Sequence, residues 1–166
     1  MNGIIIAKVE NEIESVSVLA KEIWTEHFVP IIGVDQVNYM LRKFQSVDAI
    51  SAQIVQGYEY YIVKHQEQSI GYLGLVPEIQ NTKLMISKFY TRRDARGKGV
   101  GTAMLHFIES KALIMNISTL WLTVNRFNHN TVSWYHHHGF ETIAEVKTDI
   151  GNGFFMDDFI MEKCID

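Results

Sequence analysis

The chain has 166 residues, 47% hydrophobic and 20% charged, which is enough for one domain that withdraws roughly 70% of its unfolded surface from water and too apolar throughout for disorder. Fifteen Lys and Arg against nineteen Asp and Glu leave a formal net charge of −4, which excludes a dedicated nucleic-acid binder with a broad basic face. Five of those cations, Lys88, Arg92, Arg93, Arg96 and Lys98, nevertheless crowd into eleven residues that hold one acid, Asp94.

In chain order, residues 3–9 read as a β-branched strand, and 11–28 as a helix with Ile13, Val16, Leu19, Ala20 and Ile23 at helical spacing. Pro30 is expected to interrupt it. Shorter helices follow over 34–44 and 47–56, the second with Ser46 as N-cap and Gly57 as its end. Strand signals at 58–64, 70–76 and 83–91, with turns at 65–68 and 77–82, predict antiparallel hairpins. The clearest helix carries Val100, Ala103, Met104, Phe107, Ile108, Ala112 and Met115 at steps of one face, which must pack on a sheet. A strand at 119–124, a helix at 130–138 and a hairpin of 140–148 with 154–161, joined by Gly151-Asn152-Gly153, complete the chain.

No repeat and no Ser-rich or Gly-rich tract divides the chain, so one domain over 1–166 is expected. Strand, glycine-rich turn, helix and strand in succession place a βαβ unit inside a mostly antiparallel sheet, which predicts a mixed α/β (α+β) fold. Cys164 stands alone and can form neither an internal disulfide nor a metal cluster. The short apolar run near the N-terminus has no basic residue before it, unlike a secretory signal. No stretch approaches the roughly 18 apolar residues of a membrane span. These features predict a soluble cytoplasmic protein with neither membrane nor nucleic acid as partner. His136-His137-His138 invites a metal hypothesis, but consecutive helix positions project about 100° apart and cannot converge on one ion. A solvated helix end, and no metal, is expected there.

The segment from Arg92 to Thr102 joins a strand to the amphipathic helix. Gly97, Gly99 and Gly101 would expose backbone N–H groups at a helix N-terminus, with Arg96 and Lys98 adding full charge, an arrangement suited to a phosphate. Ordinary turn chemistry is the competing reading of alternating glycines. A P-loop is ruled out because Gly99, not Ser or Thr, follows Gly97-Lys98. A dinucleotide fingerprint fails because Thr102 or Met104 stands where the third glycine is needed.

Arg96-x-x-Gly99-x-Gly101 resembles the first signature of the GNAT superfamily of acyl-CoA-dependent N-acyltransferases. Asn128-x-x-Thr131-x-x-x-Tyr135-x-x-x-Gly139-Phe140 is similar to its second signature, with Thr131 in place of the usual alanine, and Ser69-Ile70-Gly71-Tyr72-Leu73-Gly74 looks like its central strand. The resemblance spans about residues 58–145. It implies a GNAT fold: about seven strands in a mixed, mostly antiparallel sheet flanked by helices. A bulged strand would splay from its parallel neighbour to open the acyl-CoA slot.

The same resemblance implies acetyl-CoA as the cofactor. The backbone of Phe89, Tyr90 and Thr91 would pair with the pantetheine amides, the turn Arg96, Gly97, Lys98, Gly99, Val100, Gly101 and Thr102 would wrap the pyrophosphate, and Asn128 would contact the pantetheine arm. Tyr135 would be the catalytic acid, its hydroxyl protonating or stabilising the departing thiolate. The implied activity is acetyl transfer to a primary amine of a small molecule or peptide by direct attack in a ternary complex, since no cysteine lies in the motif region. A non-catalytic acyl-CoA-binding module on the same fold is the alternative.

An alkylamine arrives protonated at neutral pH and needs a base, yet the strand 83–91 has no carboxylate. Glu26 and His27 beside Trp24, and Asp157 or Asp158 near the C-terminus, are the candidates, each also readable as a solvated surface position. The first helix region and the stretch from Phe155 to Met161 resemble bacterial polyamine-type acetyltransferases, and an acidic pocket from Trp24, Glu26, His27 and Asp157 would suit a cationic amine. The basic patch from Lys88 to Lys98 would match the phosphates of coenzyme A. The resemblance also allows a homodimer.

Overall fold

The computed structural model describes residues 1–165. Its elements are β1 (Ile4–Lys8), α1 (Ile13–Ile32), α2 (Val34–Phe44), α3 (Val47–Val55), β2 (Glu59–His65), β3 (Gln68–Glu78), β4 (Lys83–Thr91), α4 (Val100–Ile114), β5 (Thr119–Asn125), α5 (His129–His137), β6 (Glu141–Gly151) and β7 (Phe154–Cys164). The seven strands form one sheet in the order β1-β2-β3-β4-β5-β7-β6. Only the β4–β5 pair is parallel, as expected of one βαβ unit closed over α4.

Alternation along the strands divides the core into two layers. Tyr60, Ile62 and Tyr72 point to one face and pack with α1, α2 and α3. Tyr61, Val63, Leu73, Leu75, Leu84 and Ile86 point to the other, against α4 and α5. Both faces of the central strands are therefore covered, which is why β2 and β3 read as nearly continuous apolar runs. Ser46 caps α3 as predicted, its Oγ accepting from Ala49 N–H at 3.2 Å.

Two prolines behave differently from expectation. The first helix continues past Pro30 to Ile32. Proline's fixed φ is itself helical and its missing N–H releases only the carbonyl of Glu26, a small loss in a final turn. The helix ends instead at Gly33, whose φ of 86° leaves the helical region and whose N–H donates to Val29 O at 3.0 Å. The predicted turn at 77–82 starts later, because β3 runs through Pro77 to Glu78 before a 3₁₀ turn at Ile79–Asn81. Pro77 pairs with Leu84 on one side, but the β2 ladder has already ended at Leu75, so its missing donor faces an open edge. At the last hairpin β6 extends to Gly151, and Asn152-Gly153, with φ of 55° and 77°, make the two-residue turn.

The centre of the sheet is deliberately incomplete. Strands β4 and β5 pair only through Lys83, Leu84 and Met85, opposite Thr119, Leu120 and Trp121, and then diverge. Across β3, Gly74 faces Lys88 while the next residue, Leu75, faces Ile86, so Ser87 is an extra, bulged residue. The bulge inverts the alternation of β4. Leu84 and Ile86 face α4, whereas Tyr90 packs in the α1 layer. Lys88 follows Tyr90: a Cβ on Gly74 would lie 2.7 Å from Lys88 Cγ and 3.5 Å from Tyr60 Cε1, on the α1 side.

Candidate active site

The splay opens a cavity of about 550 Å³. It runs from Arg96, Gly97 and Gly101, between β4 and the diverging Thr123, Val124 and Asn125 of β5, to a wall made by Trp24 and Phe28 of α1 and Met40 of α2.

Its mouth is the glycine turn. A 3₁₀ turn at Arg93–Ala95 leads into Gly97 and Gly99, whose φ values of 71° and 80° only glycine adopts freely. Gly99 is the N-cap of α4 and no side chain caps the first turn, so the leading N–H groups and the positive end of the helix dipole remain available to an anion. Gly101 has a different reason to be glycine: its Cβ would stand 3.2 Å from the Trp134 ring, where α4 meets α5. Arg96 donates twice to the carbonyl of Thr91, at 3.1 and 3.3 Å, which holds the guanidinium over the mouth. The carbonyl of Thr91 is thereby already engaged.

The five clustered cations do not form one patch, contrary to the sequence expectation. Arg92 pairs with Asp94 at 3.1 Å and Glu22 at 3.5 Å, and Arg93 pairs with Glu26 at 3.4 Å. Lys88 turns into the cavity. Arg96 and the exposed Lys98 are left at the turn without a carboxylate partner among the described residues. The carbonyl of Lys98 accepts from the N-terminal ammonium at 3.0 Å.

His27 and Asn128 close the mouth from opposite sides. The guanidinium of Arg96 can only donate, so His27 Nδ1, 3.4 Å from Arg96 Nη1, is the acceptor and Nε2–H donates to Asn128 Oδ1 at 3.1 Å. Burial first, and the Arg96 charge second, hold this imidazole below its usual pKa, hence neutral at pH 7. His27 therefore sits between Arg96 and Asn128 at the mouth of the cavity. Asn128 is 6% exposed and ends the loop before α5, leaving its amide donors for other partners.

Tyr135 and Asp158 lie deeper. Tyr135 is 5% exposed, wedged among Phe89, Trp134 and Phe140 with ring centroids 5.3 to 5.9 Å away. It lines the cavity, and its hydroxyl has no hydrogen-bond partner among the described residues. Burial raises its pKa, so it stays protonated and able to donate. Asp158, on β7 opposite Asn125, is also 5% exposed and lines the cavity with neither ion pair nor hydrogen bond to a described side chain. Burial first, and the charge of Asp157 second, push its carboxyl up to about 6. Tyr90 joins the two: its phenol is raised by burial and then by its neighbours Tyr135 and Asp158.

Of the residues expected at the site, Trp24, His27, Phe89, Tyr90 and Thr91 line this one cavity, as do Arg96, Gly97, Gly101, Asn128 and Tyr135. Lys98 and Gly99 lie in the turn without lining the cavity, Thr102 stands in the first turn of α4, and Val100 is a core residue. Two expected acids lie elsewhere. Glu26 pairs outward with Arg93, and Asp157 pairs with Arg126 at 2.7 Å on the opposite side of β7 from Asp158. The acidic pocket predicted from them does not form, because Asp157 points to the opposite strand face from Asp158 and Glu26 on α1 is taken up by Arg93. The histidine run is less solvated than expected: His136 and His137 are exposed, but His138 stacks on Trp134 at 3.8 Å and bonds its carbonyl through Nδ1 at 2.8 Å. Lys88, expected among the phosphate-binding cations, instead lines the interior of the cavity. Its only signal is a cation between Ile86 and Phe89 in a strand buried on both faces.

Comparisons with known proteins agree with this geometry. The model of the acetyltransferase (GNAT) domain matches residues 56–142, just over half of the chain. An uncharacterized N-acetyltransferase in the pepI 3′ region of Lactobacillus delbrueckii subsp. lactis is 25% identical over 99% of both chains. The structure of the PaiA N-acetyltransferase from Thermoplasma acidophilum, in complex with coenzyme A, superposes with a TM-score of 0.81 at 22% identity, covering 98% of this chain and 99% of that one. A spermidine N-acetyltransferase chimera from Vibrio cholerae superposes with a TM-score of 0.73 at 16% identity, over 98% and 96% of the two chains. With both signatures meeting at one splayed slot and the domain model spanning it, the chain belongs to the GNAT family of acetyl-CoA-dependent acetyltransferases.

Proposed function

We propose that this protein transfers acetyl from acetyl-CoA to a primary amine by direct attack, with Asp158 as general base and Tyr135 as general acid. The observation that carries the reading is that a buried carboxylate and a buried phenol, neither with a hydrogen-bond partner among the described side chains, line one cavity that begins at the glycine turn. Both groups open onto the cavity, where a ligand can supply the hydrogen-bond partners that the protein does not.

The fit to the acyl donor is favourable. Arg96 and the N–H groups leading into α4 would hold the pyrophosphate, and the edge of β4 released by the splay offers unpaired backbone groups to an amide-bearing arm. Acetyl-CoA supplies the activated acetyl group and a thiolate as leaving group. Asp158, with a pKa near 6, is ionised at neutral pH yet basic enough to take the ammonium proton of the acceptor, directly or through one water. The free amine then forms the new C–N bond as the C–S bond breaks, its nitrogen giving up its surplus proton through water to solvent, to which Asp158 also returns the proton it took. Tyr135, kept protonated by burial, gives its proton to the departing sulfur and is restored from solvent.

No cysteine lines the cavity; Cys164 is exposed at the far end of β7. That supports a ternary complex over an acyl-enzyme. Asp158 is the feature a binding module lacks reason to keep. Thiol release with acetyl-CoA and a panel of amines tests the reading: turnover lost in both Asp158→Asn and Tyr135→Phe supports it, while acetyl-CoA binding without turnover on any amine favours the module.

A further inference from the structure

The acceptor half of the cavity carries a second unpartnered charge. Lys88 is half-buried there, with Ser87 Oγ at 2.9 Å as its one hydrogen-bond partner and no carboxylate near it among the described residues. Its stem lies across Gly74, where any side chain would strike it, on the side of the sheet that Tyr60 occupies, because the Ser87 bulge has turned it to that face. Burial lowers its pKa to about 8, which still leaves it mostly protonated at pH 7. A cation kept in a cavity without a counter-ion is costly unless a ligand brings the anion.

Acids are scarce on the same wall. Asp158 is the single carboxylate among the described residues that line the cavity, and in the proposed reaction it is committed to the reacting amine. A polyamine held there would have nothing for its distal ammonium, and Lys88 would repel it. Lys88 and Tyr90 are next-but-one neighbours on one face of β4, hence about 7 Å apart along the strand, and Tyr90 borders Asp158 and Tyr135. One small molecule can therefore place its amine at Asp158 and an anion at Lys88.

We propose that Lys88 binds a carboxylate of the acceptor, so that the acceptor class is amino acids, with an apolar body against Trp24, Phe28 and Met40, rather than polyamines. This inference rests on the acetyl-transfer reading above. The charge selects by attraction of the amino-carboxylate and by repulsion of the polycation, the two arms of specificity.

The test uses the full chain with acetyl-CoA and matched pairs: apolar α-, β- and γ-amino acids, each against the amine lacking the carboxylate, with spermidine alongside. Thiol release is expected to give a kcat/KM at least tenfold higher for the acid member of one or more pairs. In Lys88→Met the preference is expected to vanish, in Lys88→Arg to persist, and in Lys88→Glu to reverse toward the plain amine. Calorimetric titration of the preferred amino acid into each variant with coenzyme A bound should show the same order, which a merely structural role for Lys88 would not produce. Preference for the plain amine or spermidine throughout, or a preference unchanged in Lys88→Met, overturns the amino-acid inference and leaves acetyl transfer standing. No turnover on any amine overturns both.

Discussion

Asp158 links stability and catalysis with opposite signs, and Asp158→Asn separates them. A carboxyl held at about 6 in the folded protein against 3.8 in an unfolded chain penalises the charged folded state by about 3 kcal/mol at neutral pH. Because the folded pKa is the higher one, the native protein binds more protons between the two values. Stability from this group is therefore full below pH 3.8 and falls as pH rises through 6. Asparagine removes the charge but keeps a polar amide to bury, so the variant is expected to gain about 2 kcal/mol at pH 7.5 and almost nothing at pH 3.5. Urea unfolding at the two pH values measures this. The same substitution removes the proton acceptor, and the expected loss of turnover is about 10²- to 10⁴-fold. At saturating acetyl-CoA, kcat/KM of the wild type should climb with pH through an apparent pKa near 6, a limb absent from the residual activity of the variant. A variant that is less stable than wild type at pH 7.5, or that keeps more than a tenth of the activity, would refute the assignment.

Three further outcomes are expected. Tyr135→Phe should lower kcat by about 10²-fold or more while the Kd for acetyl-CoA stays within twofold, as read by calorimetry; equal turnover would show that the phenol is only packing. Arg96→Ala should raise the KM for acetyl-CoA several-fold and flatten its dependence on salt, because exposed phosphate contacts are screened by ions. Tyr72→Phe leaves Oε1 of Gln45, a residue only 2% exposed, without the hydroxyl now 3.0 Å away. The expected cost is about 1–3 kcal/mol in urea unfolding.

Much of this molecule is legible without coordinates. The steps of Val100, Met104, Ile108 and Ala112 announce α4, and those four side chains are buried. The glycines of the turn and the spacing of Asn128, Thr131 and Tyr135 carry the resemblance to the family, because backbone at positive φ and side chains on one helical face each demand particular residues at particular intervals. Asn152-Gly153 marks its own hairpin, since two successive positive φ values leave few alternatives.

Other features are decided only in three dimensions. In Phe155-Met156-Asp157-Asp158-Phe159 both faces of the strand are partly covered, so no alternation reveals which aspartate faces the cavity. The pairing of β7 with β5 settles it, setting Asp158 opposite Asn125 at the splay and leaving Asp157 to Arg126. The net charge of −4 likewise conceals its distribution: ion pairs consume Arg92 and Arg93, and the acids expected to attract a cation face away from the cavity. Most consequential is Ser87, an ordinary residue whose bulge reverses the side-chain alternation of β4 and turns Lys88 and Tyr90 from the α4 face to the α1 side of the sheet. Residue types and their intervals thus determine the fold and the donor slot, because those rest on local periodicity and backbone geometry. Strand register and a single bulge determine which side chains line the inner cavity, because which face a strand residue shows depends on partners distant in the chain.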